Sequence, residues 1–318
     1  MRRRVSGAGV FESVSRGGPS EQSRQNRFGG SATHMAFPPE AYLIGAPKCG
    51  TTTLTDLLAH HPGVCLARPR DADFFTRNRE RGYDWYRTLF QGDDHQVFLD
   101  VSLSYAQAPV QARSAPTHLD GVPGRIYAAR PDARFLYVVR DPVARTYSMY
   151  WHNRRHGHES LALRDAIRED PAYLEVSDYA AQLQRYFEYF PQDSFKILIF
   201  ERMTRDPVAA ARECLAFLGV DPDAVALEFE RPKNQGYQLN RAGRLLHSAL
   251  GGSERFEAVV SGVKRLVPPP LRSLAAGAIT ADVPALGDAD REWIAAQLGS
   301  AVADFEAVYG ERVPEWHG

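Results

Sequence analysis

The stretch from Ala41 to His60 leaves the chain few options. Ala41-Tyr-Leu-Ile-Gly45 is a short apolar run closed by glycine, which reads as a buried strand. Thr51 to His60 (TTTLTDLLAH) then spaces Leu54, Leu57 and Leu58 as one face of a helix. Between them lies Gly45-Ala-Pro-Lys-Cys-Gly-Thr-Thr-Thr53. A strand that turns through glycine straight into a helix gathers unpaired N–H groups and the positive helix end at one point, which cradles an anion. Lys48 places a full charge inside the turn, and Thr51, Thr52 and Thr53 offer hydroxyls to the same oxyanion. Together with Cys49 and Gly50 these are the expected anion-binding residues.

Further along, apolar strands alternate with helical patterns. Val97–Asp100, Arg134–Val139 and Phe195–Phe200 read as strands. Helices are expected from Pro142, which suits a first helical turn, to about His156, then over Tyr179–Tyr189, Pro207–Leu218 and Arg291–Tyr309. Such alternation predicts an α/β fold, P-loop-like, in which a central parallel sheet forms the middle of three α/β/α layers. The segment 231–290, rich in Gly, Pro and Arg, shows no usable period. Residues 1–34 carry six Arg against two Glu and almost no apolar pattern. They are expected to be a disordered leader, with an organelle-targeting peptide as the other reading, and residues 35–318 to be one domain.

Composition narrows the function. Lys plus Arg number 38 and Asp plus Glu 39, so no overall positive field exists to hold nucleic acid or an anionic membrane, and an anion site must be local. No apolar run approaches the roughly 20 residues of a membrane span. The three cysteines, Cys49, Cys65 and Cys214, form no CxxC pair and no complete disulfide set, which predicts a reducing cytoplasm. His152 and His156 have metal-ligand spacing, but the Glu of HExxH is missing, and a solvated helix end is expected there. Cys49 reads as a packed loop residue rather than a thiolate, and Tyr179, Tyr186, Phe187, Tyr189 and Phe190 as core and rim.

Gly45 and Gly50 have P-loop spacing, yet Thr51 stands where a P-loop has its lysine. The segment instead resembles the 5'-phosphosulfate loop of sulfotransferases that use 3'-phosphoadenosine-5'-phosphosulfate (PAPS), whose pattern PKxGTTxL is matched by Pro47 to Leu54. Leu58-Ala-His-His-Pro62 resembles the helix end and His-Pro turn that follow in that family. Arg140-Asp-Pro-Val-Ala-Arg-Thr-Tyr-Ser-Met-Tyr150 is similar to its 3'-phosphate motif RDPxxRxxSxY, with Arg140 and Ser148 as the implied phosphate ligands. Arg70-Asp-Ala-Asp-Phe-Phe75 resembles KExxFF, and Arg241-Ala-Gly-Arg244 a KGR loop over the cofactor phosphates. With Gly82–Tyr86, Phe200–Pro207 and Val313–Trp316, the likeness runs from about residue 41 to the end. It points to bacterial members related to the heparan-sulfate sulfotransferase type.

Leu99-Asp-Val-Ser-Leu-Ser-Tyr105 resembles that family's GExSxxY, so Asp100 is expected to be the general base, one methylene short of the usual Glu. The other reading is an Asp that only ties its own turn through Ser102, which would move the base to Asp71 or His61. Arg70, Asp71 and Tyr105 are the expected acceptor-binding residues. The resemblance implies metal-free, in-line sulfuryl transfer from PAPS to a hydroxyl or amine of a small molecule, glycan or natural product. Two rival readings are a P-loop kinase, with Val97–Asp100 as its magnesium-linked strand, and a catalytically inactive nucleotide binder.

Overall fold

The computed structural model describes residues 37–92, 96–111, 113–229, 237–239, 249 and 280–317. The expected leader, 1–34, and Arg241 and Arg244 lie outside the described residues.

Five strands build the main sheet: β1 Ala41–Gly45, β2 Val64–Leu66, β3 Val97–Val101, β4 Arg134–Val139 and β5 Phe195–Ile199. All are parallel, in the order β2-β3-β1-β4-β5. Ala41 to Ile44 and Phe135 to Val139 are fully buried. Both strands are covered on two faces, so they run apolar without alternation.

The helices are α1 Thr51–Ala59, α2 Gly82–Thr88, α3 Val122–Ala129, α4 Pro142–His156, α5 Leu163–Glu169, α6 Ala172–Glu175, α7 Tyr179–Phe187, α8 Phe200–Met203, α9 Pro207–Leu218, α10 Asp288–Leu298 and α11 Ala301–Tyr309. β6 Tyr237–Leu239 and β7 Thr280–Asp282 make a small antiparallel pair. Right-handed crossovers send α1 and α3 to opposite faces, because β1 leads towards β2 and β3 leads back across β1 to β4. The packing agrees: α1 lies against α9, and α3 against α7.

The expected strands and the helix at 207–218 are all present. Two differences have local causes. The strand expected through Phe200 stops at Ile199, and Phe200 opens the short helix α8. The last helix is broken in two at Gly299, whose φ of 58° no helix residue adopts.

Connections from β1 and β4 leave in opposite directions along the sheet, although the two strands are neighbours. A crevice therefore opens beyond their carboxyl ends, the place where open α/β sheets hold ligands. The Gly45–Thr53 loop follows one of these strands and Arg140 the other.

Candidate active site

The loop after β1 is bound to β4 at its root, where the Ala46 N–H donates to the Val138 carbonyl at 2.7 Å. Lys48 and Gly50 both take left-handed backbone conformations, φ 74° and 76°. A Cβ on Gly50 would lie 2.8 Å from Met203 Cε and 2.9 Å from a Phe200 ring carbon, so α8 forms a floor that only glycine clears. Gly50 also precedes α1, and its carbonyl accepts from Thr53 and Leu54. Among the described residues, the N–H groups of Lys48, Gly50, Thr51 and Thr52 meet no protein acceptor. These are the donors an anion cradle requires. Thr51 is buried, and Thr52 and Thr53 are half-buried beside them.

Cys49 departs from the expected set. Its N–H donates to the Ala46 carbonyl, and its fully buried thiol is pushed up to about 12 by that burial. It packs the loop from beneath and offers nothing to a ligand, as the packed reading expected.

Arg140 stands at the end of β4. Its guanidinium donates to the Lys48 carbonyl at 3.2 Å and lies over the Phe200 ring, 4.7 Å from the centroid. Its Nε is buried without a partner. The Tyr179 hydroxyl donates to the Arg140 carbonyl at 2.8 Å, and Glu201 accepts from the Asp141 N–H at 3.0 Å while its other oxygen accepts from the Trp316 indole at 3.1 Å. Asp141 caps α4 by accepting from Val143 and Ala144. Ser148 is half-buried two turns along that helix.

One neighbour was missed. Lys48 Nζ donates to His152 Nδ1 at 3.3 Å, and Arg155 donates to the same nitrogen at 3.2 Å. With two cations donating to it, Nδ1 is the acceptor and the ring proton sits on Nε2. Burial, then the charge of Lys48, holds His152 down to about 3, so it stays neutral. Burial, followed by Arg155 and Arg140, lowers Lys48 to about 8. His152 lies one turn beyond Ser148, and that same-face spacing was the available signal. His156 turns back to the His152 carbonyl at 2.8 Å. Among the described residues no three His, Cys, Asp or Glu side chains converge as metal ligands.

Asp100 and Tyr105 are not where the expectation needs them. Asp100 is fully buried, and its carboxylate accepts from Tyr86, from Ser102 at 2.7 Å and from Tyr105 at 2.8 Å. The Tyr105 hydroxyl also accepts from the Phe75 N–H at 3.1 Å, and its side chain is 1% exposed. The two tie the end of β3 to the 70–76 loop instead of facing a substrate. Burial raises Asp100 to about 6 against the pull of its three hydroxyls. His61 is equally closed off: Nδ1 accepts from Gly63 at 3.0 Å, so Nε2 donates to the Asp221 carbonyl at 2.9 Å. Arg70 pairs with Asp56 on α1.

Asp71 remains open to solvent. Its N–H donates to the Val101 carbonyl at 2.8 Å, which sets it over the carboxyl end of β3, next to β1. It takes φ 57°, and partial burial, then the Asp73 carboxylate, raises its pKa. A strained backbone holding an exposed, proton-hungry carboxylate suits a general base.

Residues 38–241 match the family model described as the sulfotransferase domain. The human heparan sulfate glucosamine 3-O-sulfotransferase 6 is 32% identical over 224 residues, 68% of this chain and 60% of that protein. The human bifunctional heparan sulfate N-deacetylase/N-sulfotransferase 3 is 28% identical over 233 residues, 65% of this chain and 25% of that protein. The crystal structure of a sulfotransferase from Alicyclobacillus acidocaldarius aligns over 89% of this chain and 100% of its own, with a TM-score of 0.62 and 25% identity. The chain thus spans 60% of the length of one curated relative and a quarter of the other.

Proposed function

This chain belongs to the sulfotransferase family, and we propose that it transfers a sulfuryl group from PAPS to a hydroxyl or amine of an acceptor by in-line displacement. The observation that carries the reading is the pairing of two cationic anion sites across one crevice. Four partnerless amides and Lys48 lie after β1, and Arg140, with a buried partnerless Nε, lies after β4. A donor with phosphates at both the 5' and 3' positions of one nucleoside fits that pairing, and a triphosphate does not need it.

PAPS supplies an activated sulfuryl group. Lys48, with the amides of Gly50, Thr51 and Thr52, holds the 5' end and stabilises negative charge growing on the bridging oxygen. Arg140 and Ser148 hold the 3'-phosphate and fix the nucleotide's position. Neutral His152 positions the Lys48 ammonium through Nδ1. Asp71 takes the acceptor proton, a role its exposure supports and the burial of Asp100 does not. Arg241 and Arg244 are assigned to the phosphates on resemblance alone. Three buried cysteines, none in a disulfide, suit a reducing cytoplasm, and no described helix is long and apolar enough to cross a membrane.

The kinase reading loses its main support, because a carboxylate locked by three hydroxyls has no free oxygen for magnesium. The test is thermal stabilisation by adenosine 3',5'-bisphosphate (PAP) against ATP with magnesium. It is followed by mass spectrometry of a metabolite extract incubated with PAPS. Stabilisation by PAP and a product heavier by one sulfuryl group are expected. Stabilisation by ATP with magnesium alone would refute the assignment, and PAP binding without any product would leave an inactive binder.

A further inference from the structure

The proposed phosphate motif on α4 contains a second arginine, which turns into the fold instead of the crevice surface. Arg145 is fully buried. Its Nε donates to Ser177 Oγ at 2.6 Å, one terminal nitrogen donates to the Tyr173 carbonyl, and NH1 has no partner. Both acceptors are neutral, and among the described residues no carboxylate lies within ion-pair distance of it. Neither acceptor depends on an arginine. Ser177 Oγ also bonds Thr146 at 2.9 Å and the Pro142 carbonyl at 3.2 Å, and the Tyr173 carbonyl accepts from Thr146 at 3.0 Å. A guanidinium cannot shed its proton, so the free protein carries a buried charge that no carboxylate among the described residues offsets.

The position of that charge explains why it is tolerated. Arg145 donates its backbone N–H to Asp141 at 2.8 Å, in the helix turn that follows Arg140. Its field reaches Arg140 and, across the loop, Lys48 and Cys49. Three cations, Lys48, Arg140 and Arg145, therefore bear on one crevice from inside the fold.

Resting on the function proposed above, we infer that Arg145 is a positioning residue. Its counter-charge is the phosphate groups of the bound nucleotide, which it attracts through the protein without contact. A charge placed this way strengthens phosphate binding, gives adenosine nothing, and costs the empty protein stability.

The experiment compares wild type, Arg145→Gln and Arg145→Lys, measuring the melting temperature of the free protein and the affinities for PAP and for adenosine. Glutamine should leave the free protein melting at or above wild type, weaken PAP by about tenfold or more, and leave adenosine unchanged. Lysine, which can lose its proton when buried, should regain the PAP preference of wild type measured at the same pH at about pH 6 but not at about pH 8.5, a comparison that cancels the titration of Lys48 near 8. A glutamine variant that unfolds or melts well below wild type would make Arg145 a structural tie. An unchanged ratio of PAP to adenosine affinity, or no recovery by lysine at either pH, would also overturn the inference. A wild type that fails to prefer PAP to adenosine would instead sink the functional reading itself.

Discussion

Asp100 and Asp71 are both carboxylates at the same end of the sheet, and burial separates their roles. Asp71→Asn should keep PAP affinity while single-turnover transfer from PAPS falls by roughly 10²–10⁴-fold, the usual loss of a general base. Asp100→Asn should transfer at nearly the wild-type rate, and its effect should appear in stability. The folded pKa of Asp100 is raised to about 6 from 3.8. The stability it lends is therefore complete below about pH 4 and is lost as pH climbs through 6, a change of order 3 kcal/mol. His152, whose folded pKa is lowered, gives wild type and variant alike the opposite trend over that window. The quantity to follow in urea titrations is therefore the stability of wild type relative to Asp100→Asn, which should fall as pH rises from about 4 to 6. A difference between the two that does not change with pH, or a large loss of transfer in Asp100→Asn, would contradict this division. The sequence could not separate the two aspartates. Leu99, Asp100 and Val101 are all buried because β3 is an inner strand covered on both faces, so no alternation marked which residue faces out.

At the level of elements, the β1–loop–α1 unit and the β4–α4 junction were readable in the sequence because punctuation and period agree there. Gly45 and Gly50 bracket the loop, Asp141 caps α4, and Pro142 starts it. The floor under the loop was not readable, since Phe200 and Met203 reach Gly50 from α8, which follows β5, two strands from β1 in the sheet. His152 is legible in the sequence only as half of a spaced pair with His156, because its contact with Lys48 spans two elements. The α8 floor makes Gly50 a sharp test. Gly50→Ala would force both a left-handed φ and a Cβ within 2.9 Å of two side chains. It should destabilise the fold by about 1–3 kcal/mol in urea and abolish stabilisation by PAP. Adding Met203→Ala should recover part of the stability but not the binding, because the backbone strain remains. Full PAP stabilisation in Gly50→Ala would show that the loop does not grip the ligand.

Over the whole molecule, the two proposed anion sites follow neighbouring strands whose connections leave in opposite directions, and they should fail in different ways. Lys48→Ala should chiefly slow the chemical step, with PAP affinity less affected. Arg140→Ala should weaken PAP by about 1.5–3 kcal/mol, the worth of a charge-assisted hydrogen bond, and erase the preference for PAP over its analogue lacking the 3'-phosphate. An Arg140 variant that still discriminates like wild type would displace the 3'-phosphate from that junction. The α/β class and parallel sheet followed from alternating segments that each obey one period. Strand order did not, because nothing local in β1 states that β3 and β4 will flank it.

That central place of β1 also has a consequence during synthesis. Both partners of Ala41–Gly45 lie later in the chain, β3 ending at Val101 and β4 at Val139. While the ribosome is making the intervening residues, an apolar strand waits with both hydrogen-bonding edges unfilled, the state in which nascent chains aggregate or recruit chaperones. Nucleotide cannot relieve this early. The loop proposed to cradle it is anchored on Val138 and tied by Arg140, so the ligand can act as a folding aid only once translation has passed that point.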